Sequence, residues 1–471
     1  MKKIYTLIVA LGLLFPSCDS YFDVELYQNI PSDKAYNTVS DITNNLNGAY
    51  YALGTYRFAG RDVPAIGDLA SDNGLASATS GHFVAISTYT YSETTADFSD
   101  IWTYGYQVVD RTTRVINGAK ALLAQGSLSD DDIETLNSAI AQSYALRAYS
   151  ALMMVNLFGL PYGTDDNANG GLIIVEDQPI EAQTQVSRSS VNATYEWILR
   201  DIAKATSTPN VISSSAQFYF NPAAIKALEA RVNLYMGNYS VAKTAAQAAI
   251  DLRGANPVSF DEYITMWNSI AISPEDIFTI PKTSDDNLSA NALNTLYGTY
   301  KSTMTSDLVS TLGVNDIRLK LIGVSSAGVA NHPKKFDGIT DAAAVNNIPV
   351  FRVSEMYLII AEASAQLGEN GAQDALFFTA QRNKDITNAS QLPSTKDDLL
   401  TFIAQERRRE FFAEGQRWFD ARRTGEKIML NDGNVLNFDI SKLVFPIPST
   451  EINAGYGTQQ NPTWQQSMPV Q

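Results

Sequence analysis

The chain has 471 residues, 50 acidic against 34 basic side chains for a net charge of −16, and a single cysteine. The acidic balance argues against nucleic acid and polyanions as partners. One cysteine allows no internal disulfide, so stability must come from core size, which a chain this long can supply.

At the N-terminus, Lys2 and Lys3 precede an apolar run over residues 4–15, followed by Pro16-Ser17-Cys18-Asp19. This is the layout of a secretory signal peptide, too short for a membrane span. The only cysteine sits where a lipoprotein signal peptidase would cut, behind the small Ser17; Phe15 departs from the usual Leu. Residues 1–17 are therefore predicted as a lipoprotein signal, Cys18 as the lipid anchor, and 18–471 as one mature domain. Two or three acyl chains on Cys18 would anchor it stably, where one is marginal. No other stretch is long and apolar enough to span a bilayer.

Helical signals then recur. Ser32 and Ser40 are candidate caps for helices running toward Ala52. Ser129 followed by Asp130, Asp131 and Asp132 opens a helix whose acids suit the positive end of its dipole, and Gly159-Leu160-Pro161 stops it. Residues 191–205 carry Tyr195, Ile198, Leu199 and Ile202 on one helical face. Residues 221–252 read as a helical hairpin: Pro222 near the start, small residues to Met236, Gly237-Asn238 at the turn, then Tyr239, Ala242, Ala246 and Ala249 as a second stripe. Residues 353–382 repeat the pattern with Ala361, Ala363, Gly368 and Ala375. Small packing residues with a glycine turn are the mark of tetratricopeptide-like units. The fold class is mostly α, a scaffold of such hairpins with a loop-rich remainder. The long irregular stretches, 54–100 and 285–301, are rich in Gly, Ser, Thr, Asn and Asp with Tyr and Phe scattered in, and loops of that length are usually functional.

Catalytic motifs are scarce. With only His82 and His332 there is no HExxH, there is no CxxC, and neither a nucleophile elbow nor a phosphate-binding loop occurs. A secreted glycoside hydrolase needs only two carboxylates and stays as the alternative reading. Residues 165–176 match a calcium-loop pattern, with Asp165, Asn167, Asn169 and Glu176 as candidate Ca2+ ligands. Pro161-Tyr162-Gly163 precedes the loop where a helix is expected, and 172–175 look like a strand; a solvated acidic loop is the favoured reading. The run Glu406-Arg407-Arg408-Arg409-Glu410 reads as a helical face with internal ion pairs.

Taken in order, several segments resemble the SusD/RagB-like lipoproteins over nearly the whole chain. They are Cys18-Asp19 with Tyr21-Phe22-Asp23; Trp102, Tyr106 and Val109-Asp110-Arg111; Tyr144 to Tyr149 with Leu157-Phe158-Gly159-Leu160-Pro161; Arg352 to Leu358 with Ala361-Glu362-Ala363; Glu406-Arg407-Arg408 with Glu414-Gly415-Gln416-Arg417 and Asp420; Phe445-Pro446-Ile447-Pro448; and Gln460-Asn461-Pro462. The resemblance implies a scaffold of four tetratricopeptide-like units. It also implies no enzyme activity, an oligosaccharide or polysaccharide ligand, and a SusC-like TonB-dependent β-barrel transporter under the lipoprotein, at the outer-membrane surface of a Gram-negative bacterium. Arg352, Glu355, Glu406, Arg407, Arg417 and Asp420 are expected to be structural ion pairs and caps, with Trp418 and Phe419 in the core.

Sugars offer flat apolar faces and rings of hydroxyls, so a site needs aromatic platforms and short amide or acid partners. In this family the site is usually built from the loop ahead of the Trp102 helix and the loop ahead of Asp316 and Arg318. Here those loops offer Asp68, Asp72, Asn73, His82, Phe83, Tyr89 and Tyr91 from the first, and Asn287, Asn291, Tyr297 and Tyr300 from the second. None of the five Trp lies in either loop, so starch, which its binders hold on an arc of aromatics including Trp, is not the favoured ligand.

Overall fold

The computed structural model describes residues 35–164, 168–254, 258–339, 342, 344–430, 435–462 and 464–469. The signal, Cys18 and Ser32 lie outside them.

The scaffold is helical. Helix α1 (Val39–Leu53) starts at Thr38, whose hydroxyl accepts from the Asp41 N–H while Asp41 reaches back to the Thr38 N–H. This capping box sits two residues ahead of the expected Ser40, which lies inside the helix; the box satisfies two orphan donors where Ser40 could satisfy one. Helix α2 is Asp62–Leu69, and the long α3 (Ala96–Ala124) and α4 (Asp130–Phe158) form the first extended hairpin. The cap at Ser129 and the stop at Gly159 are as expected. Helix α5 (Val191–Ser207) packs on α4, capped by Ser190, with Tyr195, Ile198 and Ile202 buried.

The hairpin expected at 221–252 is α6 (Pro222–Tyr235) and α7 (Tyr239–Arg253), turning at Gly237 with φ +74°. The one at 353–382 is α8 (Val353–Leu367) and α9 (Ala372–Ala380). Ala242, Ala246 and Ala249 on α7 and Ala361 on α8 are buried, and α7 packs against both α6 and α8; small side chains allow that close approach. Helices α10 (Lys396–Phe411) and α11 (Arg417–Thr424) close the C-terminal side. Trp418 and Phe419 are buried as expected. No helix of the described residues is long and apolar enough to cross a membrane.

Strands are few and short, in four antiparallel pairs among the described residues: β1 (Gly74–Leu75) with β3 (Thr303–Met304), β2 (Asp276–Ile280) with β6 (Ile348–Arg352), β4 (Ile322–Val324) with β5 (Ala330–Pro333), and β7 (Lys427–Leu430) with β8 (Val435–Asp439). The stretch 172–175 is not a strand. It is a mostly buried apolar run whose backbone bonds to neighbouring elements: the Tyr106 phenol accepts from the Ile173 N–H at 2.7 Å and donates to the Ile173 carbonyl at 3.2 Å, and the Leu172 N–H donates to the Thr194 hydroxyl at 3.0 Å.

The run at 406–410 departs from expectation. Only Arg409 pairs within it, to Glu406 at 2.9 Å. The other side chains reach across the fold: Arg407 to Asp420 (2.7 Å), Arg408 to Asp307 (2.8 Å), Glu406 to Arg318 (2.8 Å), and Glu410 to Arg352 (2.9 Å), Arg318 (3.3 Å) and Arg382. Glu410 is fully buried; burial alone would raise its carboxyl, but Arg382, Arg352 and Arg318 drive it well below the usual carboxylate range. Glu355 pairs with Arg231 at 2.6 Å, and Arg417 grips Asp72 through two bonds of 2.6 and 2.9 Å. Helix α2 is pressed onto this cluster: a side chain at Gly67 would run into the Gly415 backbone, and Gly415 itself holds φ +76°.

Candidate functional site

The two long loops do meet. The β1–β3 ladder pairs Gly74 with Met304 and Leu75 with Thr303, and the Thr305 hydroxyl donates to the Asp72 carbonyl at 2.7 Å. This two-residue ladder sets the 76–91 and 285–301 segments side by side. His82 and Tyr300 then stack, with ring centroids 3.9 Å apart and planes 18° from parallel. Both are partly exposed. The residue after each takes a left-handed backbone, Phe83 at φ 56° and Lys301 at φ 61°, and Tyr89 (φ 55°) and Ser289 (φ 46°) do so in the same loops. Such conformations cost energy in non-glycine residues and gather where a side chain must be aimed.

Beside the stack lies a polar and aromatic wall. Arg61 donates to the Asn291 Oδ1 at 3.1 Å and to Asp62 at 2.7 Å, with its guanidinium 4.7 Å from the Tyr56 ring centre and 5.3 Å from that of Phe83. The bond from Arg61 fixes the Asn291 amide the way round that leaves its NH2 as donor. Arg57 donates to the Tyr104 hydroxyl at 2.6 Å, pairs with Asp100 at 3.4 Å and also covers Tyr56. Burial raises the Asp97 carboxyl, with Arg61 opposing. Burial, then the Arg61 charge, holds the His82 imidazole below its ordinary value, so the ring is neutral at pH 7. A neutral stacked ring pair edged by guanidinium, amide and carboxyl groups can take the apolar face of a small polar molecule and bond its hydroxyls.

Most of the other expected site residues lie beneath this surface. Tyr89, Tyr91 and Tyr297 are 4%, 3% and 1% exposed, too enclosed to serve as open platforms. The Tyr89 hydroxyl donates to the Ala70 carbonyl at 2.8 Å, and Tyr91 packs edge-on against Phe98 and Phe445. Phe83 is buried under Arg61. Asp72 is held by Arg417 and Arg408, and Asn73 bridges Asp68 (3.1 Å) and Arg408 (3.1 Å). These six support the loops rather than face outward. Tyr89 takes a left-handed backbone, so residues 89–91 do not continue as an extended strand.

Four members of the wall were not singled out by the sequence: Tyr56, Arg57, Arg61 and Asp97. A signal was present, two arginines interleaved with Tyr56 and Phe58 in a loop, but their partners are remote in sequence. In the calcium-like loop, Asp165 and Asn167 lie outside the described residues. Of the rest, the Asn169 amide lies 3.5 Å from the Gln459 side-chain oxygen, and Glu176 pairs with Arg200 at 2.9 Å. Among the described residues no three His, Cys, Asp or Glu side chains converge to hold a metal ion.

Comparison with known proteins agrees with this fold. The SusD family profile matches residues 329–464, and a second one, SusD-like and described as starch-binding associating with outer membrane, matches residues 20–234. Two SusD-like proteins of Formosa agariphila are 22% and 23% identical over 94% and 96% of this chain and 95% and 97% of their own length. A SusD superfamily protein from Bacteroides thetaiotaomicron is 26% identical, superposes with a TM-score of 0.80, and covers 90% of this chain and all of its own. A protein from Bacteroides vulgatus that carries a sugar-binding designation is also 26% identical, with a TM-score of 0.81 over 91% of this chain and 99% of its own. The class is thus a SusD-like protein built on a mostly helical scaffold. The chain belongs to the SusD/RagB-like family.

Proposed function

We propose that this chain is a cell-surface glycan-binding lipoprotein. It is anchored in the outer membrane through lipid on Cys18 and passes oligosaccharide to a SusC-like TonB-dependent β-barrel transporter without cleaving it. The observation that carries the reading is the His82–Tyr300 stack, assembled from two loops far apart in sequence, with Arg61 and the Asn291 it holds beside it. Stacking faces beside paired hydrogen-bonding groups suit a pyranose ring. The family, the sugar-binding designation of one relative and the outer-membrane description of the matching profile support it.

The test is calorimetric titration of the mature chain with a panel of oligosaccharides, followed by product analysis. Binding at the platform predicts loss of affinity in a His82→Ala/Tyr300→Ala variant and no release of reducing ends. Hydrolysis at an enzyme-like rate would move the assignment to a glycoside hydrolase. Binding unaffected by that variant would place the site elsewhere.

A further inference from the structure

A groove of about 270 Å³ opens between the end of α1, residues 218–219 and the exit of β2. Two of its rings face solvent, Tyr51 at 65% and Tyr219 at 40% exposure. Tyr219 is braced: it packs edge-on against Tyr50, centroids 5.6 Å apart at 89°, and the Tyr50 hydroxyl is immobilised by donating to Gln142 (2.8 Å) and accepting from the Phe220 N–H (2.8 Å). Beside the rings, Lys282, its side chain 5% exposed, pairs at 3.3 Å with Asp286, whose carboxylate is 54% exposed. One exposed ring braced on the hydrogen-bonded Tyr50, beside an ion pair whose carboxylate is open, gives the groove a stacking face and a polar partner at a size that fits one small ring.

We infer that this groove is a second subsite for a pyranose ring, so that an extended glycan occupies the platform and the groove together. The inference rests on the glycan-binding reading above. Its occupant is argued from the chain itself. Two turn-folded segments join the groove to the platform: residues 54–61, from the groove wall to Arg61, and residues 282–291, from Lys282 to Asn291. Seven residues of chain span at most about 25 Å, within reach of an oligosaccharide of several rings. A protein partner would want a broad apolar face; this groove instead ends in an ion pair and the exposed amide of Asn47.

The test compares hexasaccharides with disaccharides. Cellohexaose, laminarihexaose, xylohexaose, mannohexaose and maltohexaose, each with its disaccharide, are titrated into wild type, a Tyr51→Ala/Tyr219→Ala variant and a His82→Ala/Tyr300→Ala variant, with melting temperatures recorded. The groove variant should bind the preferred hexasaccharide about five-fold more weakly, the worth of a lost stacking ring, and its disaccharide as the wild type does. Tyr219→Phe keeps the ring and should bind normally. Tyr51→Ala alone, at a ring mostly in solvent, separates affinity from folding if the double variant is unstable. If the groove variants bind the hexasaccharide like wild type while the platform variant loses it, the groove is overturned and the glycan reading stands. If wild type binds none of these sugars, the glycan reading falls and the groove falls with it; if wild type binds but neither double variant weakens binding, the platform and the groove are both overturned and the glycan site lies elsewhere.

Discussion

Two regions of this molecule are made from the same side chains, arginines, acids and aromatic rings, and are put to different use. Around Glu410 the charges are buried and mutually closed: Arg318, Arg352 and Arg382 converge on it, and Glu275, Glu406 and Glu414 complete their hydrogen bonds. Around His82 and Tyr300 the closure is incomplete: Arg61 is buried against Asp62, but the two rings and Asn291 are partly exposed, as are Arg57 and Asp100 at about a third. Burial decides the outcome. An enclosed charge must find all its partners within the protein, so it locks helices together; a half-exposed one keeps bonding capacity for a ligand. Family motifs can therefore be the strongest sequence signal and still be scaffold.

The largest break in the comparison should come from Glu410→Ala. Removing it strands three guanidinium groups in the interior, and unfolding in urea should show a loss of about 3–5 kcal/mol; a loss below about 1 kcal/mol would show that the cluster does not lock the helices. Tyr297→Ala should cost nearly as much, roughly 3 kcal/mol, by leaving a cavity beneath the platform, as seen by denaturation.

A third test uses pH. Burial raises the Asp68 carboxyl to about 7, with the Gly415 N–H and the Asn73 amide opposing. Between the unfolded value near 3.8 and about 7, the folded state holds a proton that the unfolded state has released. The stability this gives is present below the unfolded value and is lost as pH rises through about 7. Asp68→Asn removes that titration, so it should gain on wild type by about 3 kcal/mol from pH 4 to pH 7. A constant difference across that range would refute a raised Asp68. The smallest effect belongs to the platform. Tyr300→Ala should change stability by under about 1 kcal/mol and weaken sugar binding by about 1 kcal/mol, measured by melting and titration on one sample. If it melts like Tyr297→Ala, the two tyrosines do the same job and the division between support and platform is wrong.

Much of the scaffold was legible without coordinates. The stops at Gly159 and Gly237, the cap at Ser129 and the alanine stripes of residues 221–252 and 353–382 are local signals, and local backbone chemistry answers to them directly. Family membership was readable for the same reason, from short ordered motifs. The candidate site was legible only in part. His82, Asn291 and Tyr300 were among the candidates, but so were Tyr89, Tyr91 and Tyr297, which carry the same chemistry in the same loops. Exposure separates them, and exposure depends on how the loops fold over α2 and α3.

The amino-acid sequence by itself determined the helical hairpins, their small-residue contacts and the kind of chemistry the loops could offer, because helix periodicity, caps and turns act over a few residues. Only the tertiary structure decided which rings face out, which arginine meets which acid, and that His82 and Tyr300 stack. Those outcomes hang on contacts such as β1 with β3 and Gly67 against Gly415, where segments remote in the chain meet. No local pattern encodes such meetings, since their free energy comes from burial shared by the whole core.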